Sequence, residues 1–234
     1  GGGATTITDN VITHNTGSGQ WAGGIWGNLG NGSVVTISGN QISDNGNSGV
    51  HIFAQGLGTY TATISGNTIV RNSSSGIKGG GRDGLTVNIT NNYIADNSAN
   101  SGGGIYISER NPVFNISYNR IHNNSADSMY GSALYIRDES VSGLDTYEYN
   151  TVTGGTGTSL ILKHQGNPTI RNNNFVHKSE TYLIYDISVN ATFENNWWGT
   201  TDTTNLDALI YDWNDDPTKE QVDFTPFLTS PDTT

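Results

Sequence analysis

The chain has 234 residues, with 31 Gly and 29 Asn, 13% charged residues and a net charge of −11. Low charge, with apolar residues recurring along the whole length, excludes disorder, and no apolar run approaches the 18 residues of a membrane-spanning helix. With no Cys there is no disulfide, thiolate metal site or Cys nucleophile. Residues 1–193 hold 12 acids against 9 bases and residues 194–234 hold 9 against 1. A nucleic-acid partner asks for a basic stripe, so none is expected.

From residue 7 one phrase recurs: apolar, two polar residues, Asn, any residue, apolar. It reads Ile7-Thr8-Asp9-Asn10-Val11-Ile12, Ile37-Ser38-Gly39-Asn40-Gln41-Ile42 and Ile64-Ser65-Gly66-Asn67-Thr68-Ile69. It returns around Asn92, Asn119, Asn150 and Asn173 and closes at Phe193–Trp198 around Asn196. Spacings of 30, 27, 25, 27, 31, 23 and 23 residues are those of a solenoid with loops of variable length. Three short alternating stretches per period, punctuated by Gly, Asn, Ser and Thr, predict strands. The third strand of each period is Ile25-Trp26, Val50–Phe53, Ile77-Lys78, Ile105–Ile107, Leu134–Ile136, Leu160–Leu162 and Leu183-Ile184. Coils stacked about 4.8 Å apart form a parallel β-helix around a continuous apolar core. The Asn row is expected at a tight corner, where Asn tolerates left-handed backbone and stacked amides bond along the row.

Gly1-Gly2-Gly3-Ala4 matches the opening of a third strand, so the reading begins in mid-coil, with earlier coils or a stacked neighbour expected before it. After Trp197-Trp198-Gly199, Leu206, Leu209, Ile210 and Trp213 fall at i, i+3, i+4 and i+7, predicting a helix capped by Asp202 or Thr204. Val222, Phe224 and Phe227 follow as an extended segment. Residues 1–198 are read as the β-helix and 199–234 as a cap and tail covering the edge of the last coil, which would otherwise invite aggregation.

The phrase Ile-x-x-Asn-x-Ile, followed by Gly-Ile-Tyr-Ile, resembles the right-handed parallel β-helix repeat of the pectate-lyase-like superfamily over residues 1–198. Gly102-Gly103-Gly104-Ile105 and Phe193-Glu194-Asn195-Asn196 also resemble repeats of polymorphic outer-membrane adhesins. Asn195–Gly199 resembles the closing phrase of many secreted β-helix proteins. The resemblance implies an all-β fold, a right-handed parallel β-helix of about eight coils with an Asn row and a short C-terminal helical cap. It also implies a secreted or cell-surface location, with any polysaccharide groove over the third strand. One scaffold hosts unrelated activities, so function rests on the site.

Alternation along the third strand points Ile25, Val50, Ile77, Ile105, Leu134, Leu160 and Leu183 inward. Trp26, His51, Lys78, Tyr106, Tyr135, Ile161 and Ile184 point outward, as do Phe53, Ser108, Arg137, Lys163 and Asp186. Trp26, His51, Phe53, Lys78, Tyr106, Tyr135, Arg137 and Lys163 make a carbohydrate-binding stripe, since aromatic faces stack on sugar rings; plain strand propensity is the competing account. Five bases, Lys78, Arg82, Arg110, Arg137 and Lys163, lie on or just after this strand and would attract an acidic sugar.

For catalysis, Lys78, His51, Tyr135, Arg137 or His164 could stabilise a uronate and remove its proton. Glu109 and Asp138, at one register on adjacent coils and with Glu139 and Asp186 nearby, could flank a glycosidic bond. The chain lacks the Gly-His-Gly of polygalacturonases, the Asp-Pro-His-Asp of mannuronan epimerases and the Arg-x-Pro-x-x-Arg of pectate lyases. Whether it is an enzyme (lyase, epimerase or glycoside hydrolase) therefore stays open. Asp212-x-Asn214-x-Asp216 with Asp223 has the oxygen spacing of a Ca²⁺ loop, but Pro217 stands where such a loop needs Gly, and a solvated acidic turn is the alternative. No other cofactor is implied. The expected function is a secreted or surface domain that binds, and in one version processes, a polysaccharide or surface glycan. The rival is a structural surface protein, an adhesin stalk, surface-layer or fibre subunit that self-associates head to tail.

Overall fold

The structure is a computed structural model that describes residues 2–233 except 18, 20–22, 82–83, 110–111, 128–130, 139–144, 166–167 and 187–190. For residues 109, 138, 159–160, 162–165, 186 and 191 the backbone alone is described. Three long parallel sheets wrap one core. The first face runs through Ala4–Thr8, Val34–Ser38, Tyr60–Ser65, Leu85–Thr90, Val113–Ser117, Thr146–Glu148 and Thr169–Arg171. The second runs through Val11–Thr13, Gln41–Ser43, Thr68–Val70, Tyr93–Ala95, Arg120–His122, Thr151–Thr153 and Asn174–Val176. The third runs through Gly23–Leu29, Ser48–Ala54, Ile77–Gly80, Ile105–Glu109, Leu134–Asp138, Ser159–Gln165, Tyr182–Asp186 and Ile210–Tyr211. Where about eight coils are expected, two described faces carry seven strands and the third carries eight.

Alternation builds the core directly. Ile37, Ile64, Ile89 and Ile116 from the first face stack in register and are buried, as do Ile42, Ile69, Ile94 and Ile121 from the second and Val50, Ile77, Ile105 and Leu134 from the third. Each such side chain contributes about 1.5–3 kcal/mol of hydrophobic stabilisation.

Two amide ladders, not one, hold the corners. In the first, running Asn10-40-67-92-119-150-173-196, each Oδ1 accepts from the backbone N and the Nδ2 of the Asn one coil earlier; Asn67 reaches Asn92 through both donors at 2.9 Å. Asn92 Nδ2 also donates to Ile64 O at 2.8 Å, so the amide is fully used. The second ladder, five residues further on, is Asn15-45-72-97-124. The left-handed residue is the one before each ladder Asn, and not the Asn itself as the sequence suggests. Asp9, Gly39, Gly66, Asn91, Tyr118, Tyr149, Asn172 and Asn195 all have φ of 55–65°. Tyr at two of these corners costs about 1–2 kcal/mol apiece, partly offset by a 5.1 Å stack between the two rings.

The second ladder stops at Asn124 because the next coil carries Gly154-Gly155. A Cβ on Gly155 would lie 1.8 Å from Asn124 O, and one on Gly154 2.3 Å from the Glu180 carboxylate. Buried Glu180 fills the vacated row: its Oε1 accepts from Gly155 N and Ser132 Oγ, both at 2.7 Å, and its Oε2 from Lys178 N and Ser179 N.

The C-terminal region departs from expectation. The helix is only Thr203–Asp207, capped by Asp202, whose side chain accepts from Thr204 N and Asn205 N. It does not extend to Trp213, which is exposed, because Ile210–Tyr211 join the third face beside Tyr182–Asp186. Val222–Asp223 then pair with Ala191–Thr192, and Leu228 N donates to Asn196 O. After its one helical turn, the tail is therefore a further partial coil.

Candidate functional site: the third face

Two register findings reshape the stripe. Leu134 pairs with Ile161, Ile161 with Ile184 and Ile184 with Ile210, so Ile161 and Ile184, expected outside, are buried. The residues in register with Tyr135 are instead Leu162, Tyr185 and Tyr211. Lys163 pairs with Ile136 and Asp186, not with Arg137, which faces Gln165 across an irregularity. The run Leu160-Ile161-Leu162 has no polar residue to mark its faces, so sequence alternation could not fix this register.

The outward row over the earlier coils is Trp26, His51, Lys78, Tyr106 and Tyr135, one residue per strand in unbroken register. It is less open than alternation implies. Trp26 is 45% exposed, but His51 and Tyr135 are each only 5% exposed. Tyr106 and Tyr135 stack on each other at 4.8 Å and 8°, and Lys78 Nζ lies 5.2 Å from the Tyr106 ring centroid. These rings spend their faces along the solenoid axis, one on another and one under an ammonium. With His51 and Tyr135 buried, what the row presents to solvent is Trp26, Lys78 and Tyr106. Phe53 lies further along its strand, in register with Gly80 and half-buried.

Burial with Lys78 alongside pushes the His51 imidazole down to about 4. It is neutral at neutral pH, and Lys78 carries the charge of the pair. Beside this pair the turns between second and third faces open a cleft of ≈ 360 Å³, lined by Asn47, Ser73–Ser75, Asn100 and Ser101 together with Lys78 and Tyr106. Hydroxyls and amides from three successive coils thus converge on one ammonium and one phenol.

Glu109 and Asp138 pair in register on adjacent strands as expected, with their side chains outside the described atoms. The side chains of Lys163, His164 and Asp186, and all of Arg82, Arg110 and Glu139, are also outside them. The acidic loop is organised by its own backbone. Asp212, buried, accepts from Asn214 N through Oδ1 and Val222 N through Oδ2, both at 2.9 Å. Asp216 accepts from Thr218 N and Oγ1, which hold its carboxyl below the usual range, and Asp223 accepts from Thr225 N. Such Asx turns use oxygens that a Ca²⁺ ion would need. Among the described residues, no three His, Asp or Glu side chains converge as a metal-binding group, and no helix is long and apolar enough to cross a membrane.

The second amide ladder, missed in the sequence, was legible as Asn recurring five residues after the first row at 15, 45, 72, 97 and 124. The cleft was not, because its lining comes from turn residues whose spacing varies from coil to coil.

None of the curated proteins and none of the solved structures compared with the chain matches it. The right-handed β-helix region, as a family, matches residues 1–175, the stretch that carries most of both ladders and the cleft. With that match over three sheets of parallel strands in repeating register, the chain belongs to the right-handed β-helix family.

Proposed function

We propose that the third face binds a glycan, with the cleft at Lys78 and Tyr106 as its centre and export to a cell surface or beyond as its setting. The carrying observation is the cleft itself: a concave site lined by hydroxyls and amides around one ammonium and one phenol. Polyols are recognised by directed hydrogen bonds from such groups, and an ammonium adds affinity for uronates or sulfated sugars. Because the rings are stacked on each other, recognition here runs through hydroxyls and the Lys78 charge rather than through a flat aromatic platform.

The test is retention of the purified chain on neutral and uronic-acid polysaccharides at low and moderate salt. Tyr106→Phe keeps the ring stack and removes the hydroxyl; Lys78→Gln removes the charge. Each should weaken retention roughly three- to tenfold, the worth of one net hydrogen bond. The charge-dependent part should fade as salt shortens the Debye length. Retention unchanged in both variants, or absent from the native chain, sinks the reading. A retained polymer is then assayed for new reducing or unsaturated ends, which decides between binding and processing.

A second reading, a structural element that stacks end to end, is favoured by the first described coil. There the core-row residues Ile7 and Ile12 are only partly buried, whereas their counterparts on later coils are fully buried. Such an edge accepts a further parallel rung, whichever chain supplies it. Concentration-dependent growth of elongated particles in light scattering would support it, and a monodisperse monomer at high concentration would count against it.

A further inference from the structure

The first face carries a chemistry of its own. Over its first five strands the outward positions form two full columns, Thr6-Thr36-Thr63-Asn88-Asn115 and Thr8-Ser38-Ser65-Thr90-Ser117, each in unbroken register. All ten are Thr, Ser or Asn, and all are exposed or half-buried. A rim column, Ala4-Val34-Thr61-Thr86-Val113, is also uncharged. Charge enters only at the sixth and seventh strands, where Glu148 and Arg171 pair at 2.6 Å.

Strand propensity alone would spread Thr and Ser over every sheet. The other two faces differ. Over the same coils the second presents Tyr93, Arg120 and His122, and the third Trp26, His51, Lys78 and two Tyr. Over these coils the two columns of the first face are made of hydroxyl and amide residues alone, whereas the matching column of the second mixes Gln41 and Thr68 with Val11, Tyr93 and Arg120. The first-face groups are also held in place: Asn115 Nδ2 donates to Asn88 Oδ1 at 2.9 Å, and Thr146 Oγ1 to Asn115 Oδ1 at 3.0 Å.

Strand geometry turns these columns into a lattice. Rungs repeat about every 4.8 Å, and outward residues along a strand about every 6.6 Å. A two-dimensional array of small polar groups matches only a partner that is itself periodic, and its spacings lie close to the oxygen repeats on a prism face of ice. Thr supplies a hydroxyl that joins the water lattice and a methyl around which water orders. Strongly hydrated charged groups, which keep their own water, are missing from the outward positions of the first face over these five strands. A crystalline polysaccharide is a poorer fit, because its flat C–H faces are met by aromatic rings, and this face carries none among its outward positions.

We infer that the first face is an ice-binding surface, centred on Thr36 and Thr63. The experiment uses the full chain in three forms: native, Thr63→Lys, and Thr68→Lys as a control at an outward position of the second face. Each is tested for partition into a slowly grown ice phase and for shaping of single ice crystals just below the melting point. The native chain and Thr68→Lys should enter the ice and facet the crystals; Thr63→Lys should lose partition roughly tenfold or more. Thr36→Lys serves the same purpose should Thr63→Lys fail to give the native circular dichroism spectrum. Exclusion of the native chain from ice overturns the inference. So does equal partition of the face and control variants, or first-face-dependent retention on microcrystalline cellulose or chitin without ice binding. Tyr106→Phe should leave ice partition unchanged, which separates this face from the glycan cleft.

Discussion

His51 is an imidazole buried beside an ammonium, and its protonation sets a pH limit on the fold. In the unfolded chain a His titrates near 6.5; in the folded chain burial and Lys78 hold it down to about 4. Between these values the unfolded state binds the extra proton, so stability is full above about pH 6.5 and falls as pH drops toward 4. The full shift corresponds to about 3 kcal/mol. Denaturant midpoints measured from pH 7 to pH 4 should therefore decline more steeply for the native chain than for His51→Gln. Parallel curves would show that the imidazole is accessible and titrates normally. Sequence alternation placed His51 correctly in the outward row but not its burial, which comes from neighbouring side chains and turns rather than from its own strand.

The repeated element is a strand, a one-residue left-handed corner and an Asn that locks to the next coil. Asn92→Ala would take the side-chain acceptor from Asn67 N, one of three acceptors from Asn67 Nδ2, and one donor each from Asn119 Oδ1, Ile64 O and Thr90 O, in a buried row. An unsatisfied buried group costs about 1–3 kcal/mol and each further lost hydrogen bond about 0.5–1.5 kcal/mol, so the variant should lose roughly 3–5 kcal/mol. Asn88→Ala, an outward Asn on the same coil, should stay within about 0.5 kcal/mol. Equal effects on the unfolding midpoint would mean the ladder is decoration on an apolar stack. At this scale the sequence was most readable, since one Asn per coil and Ile at fixed offsets follow from the register itself. It failed where local pattern competed with pairing. Leu206, Leu209, Ile210 and Trp213 have helical spacing, yet Ile210 and Tyr211 gain more by completing the third face. The left-handed corner was credited to Asn because Asn is common there, whereas any residue preceding the ladder takes it, Tyr118 and Tyr149 included.

As a whole the molecule is a one-dimensional stack whose ends are its weak points, because each coil is stabilised mainly by its neighbours. The tail guards one end through Leu206, Ile210 and Val222, all buried. Ile210→Lys puts an unpaired charge against Ile184 and should release the tail, uncovering the Tyr182–Asp186 edge. The expected result is concentration-dependent association in light scattering at protein concentrations where the native chain stays dispersed; an unchanged particle size would show that the other tail contacts suffice. The second amide ladder has a consequence on this same scale. From Asn45 to Asn97 each side-chain carbonyl accepts from the coil before it and each amide nitrogen donates onward, so the small dipoles add instead of cancelling and polarise one another. The row is an electrical arrow with its positive head toward the later coils. Beyond Asn124, past the Gly154-Gly155 coil, Glu180 Oε1 takes Gly155 N as Asn124 Oδ1 takes Asn97 N. Glu180 is thus more than filler for a missing Asn: it carries the ladder's acceptor role past the Gly154-Gly155 gap, on the side to which the aligned amides point.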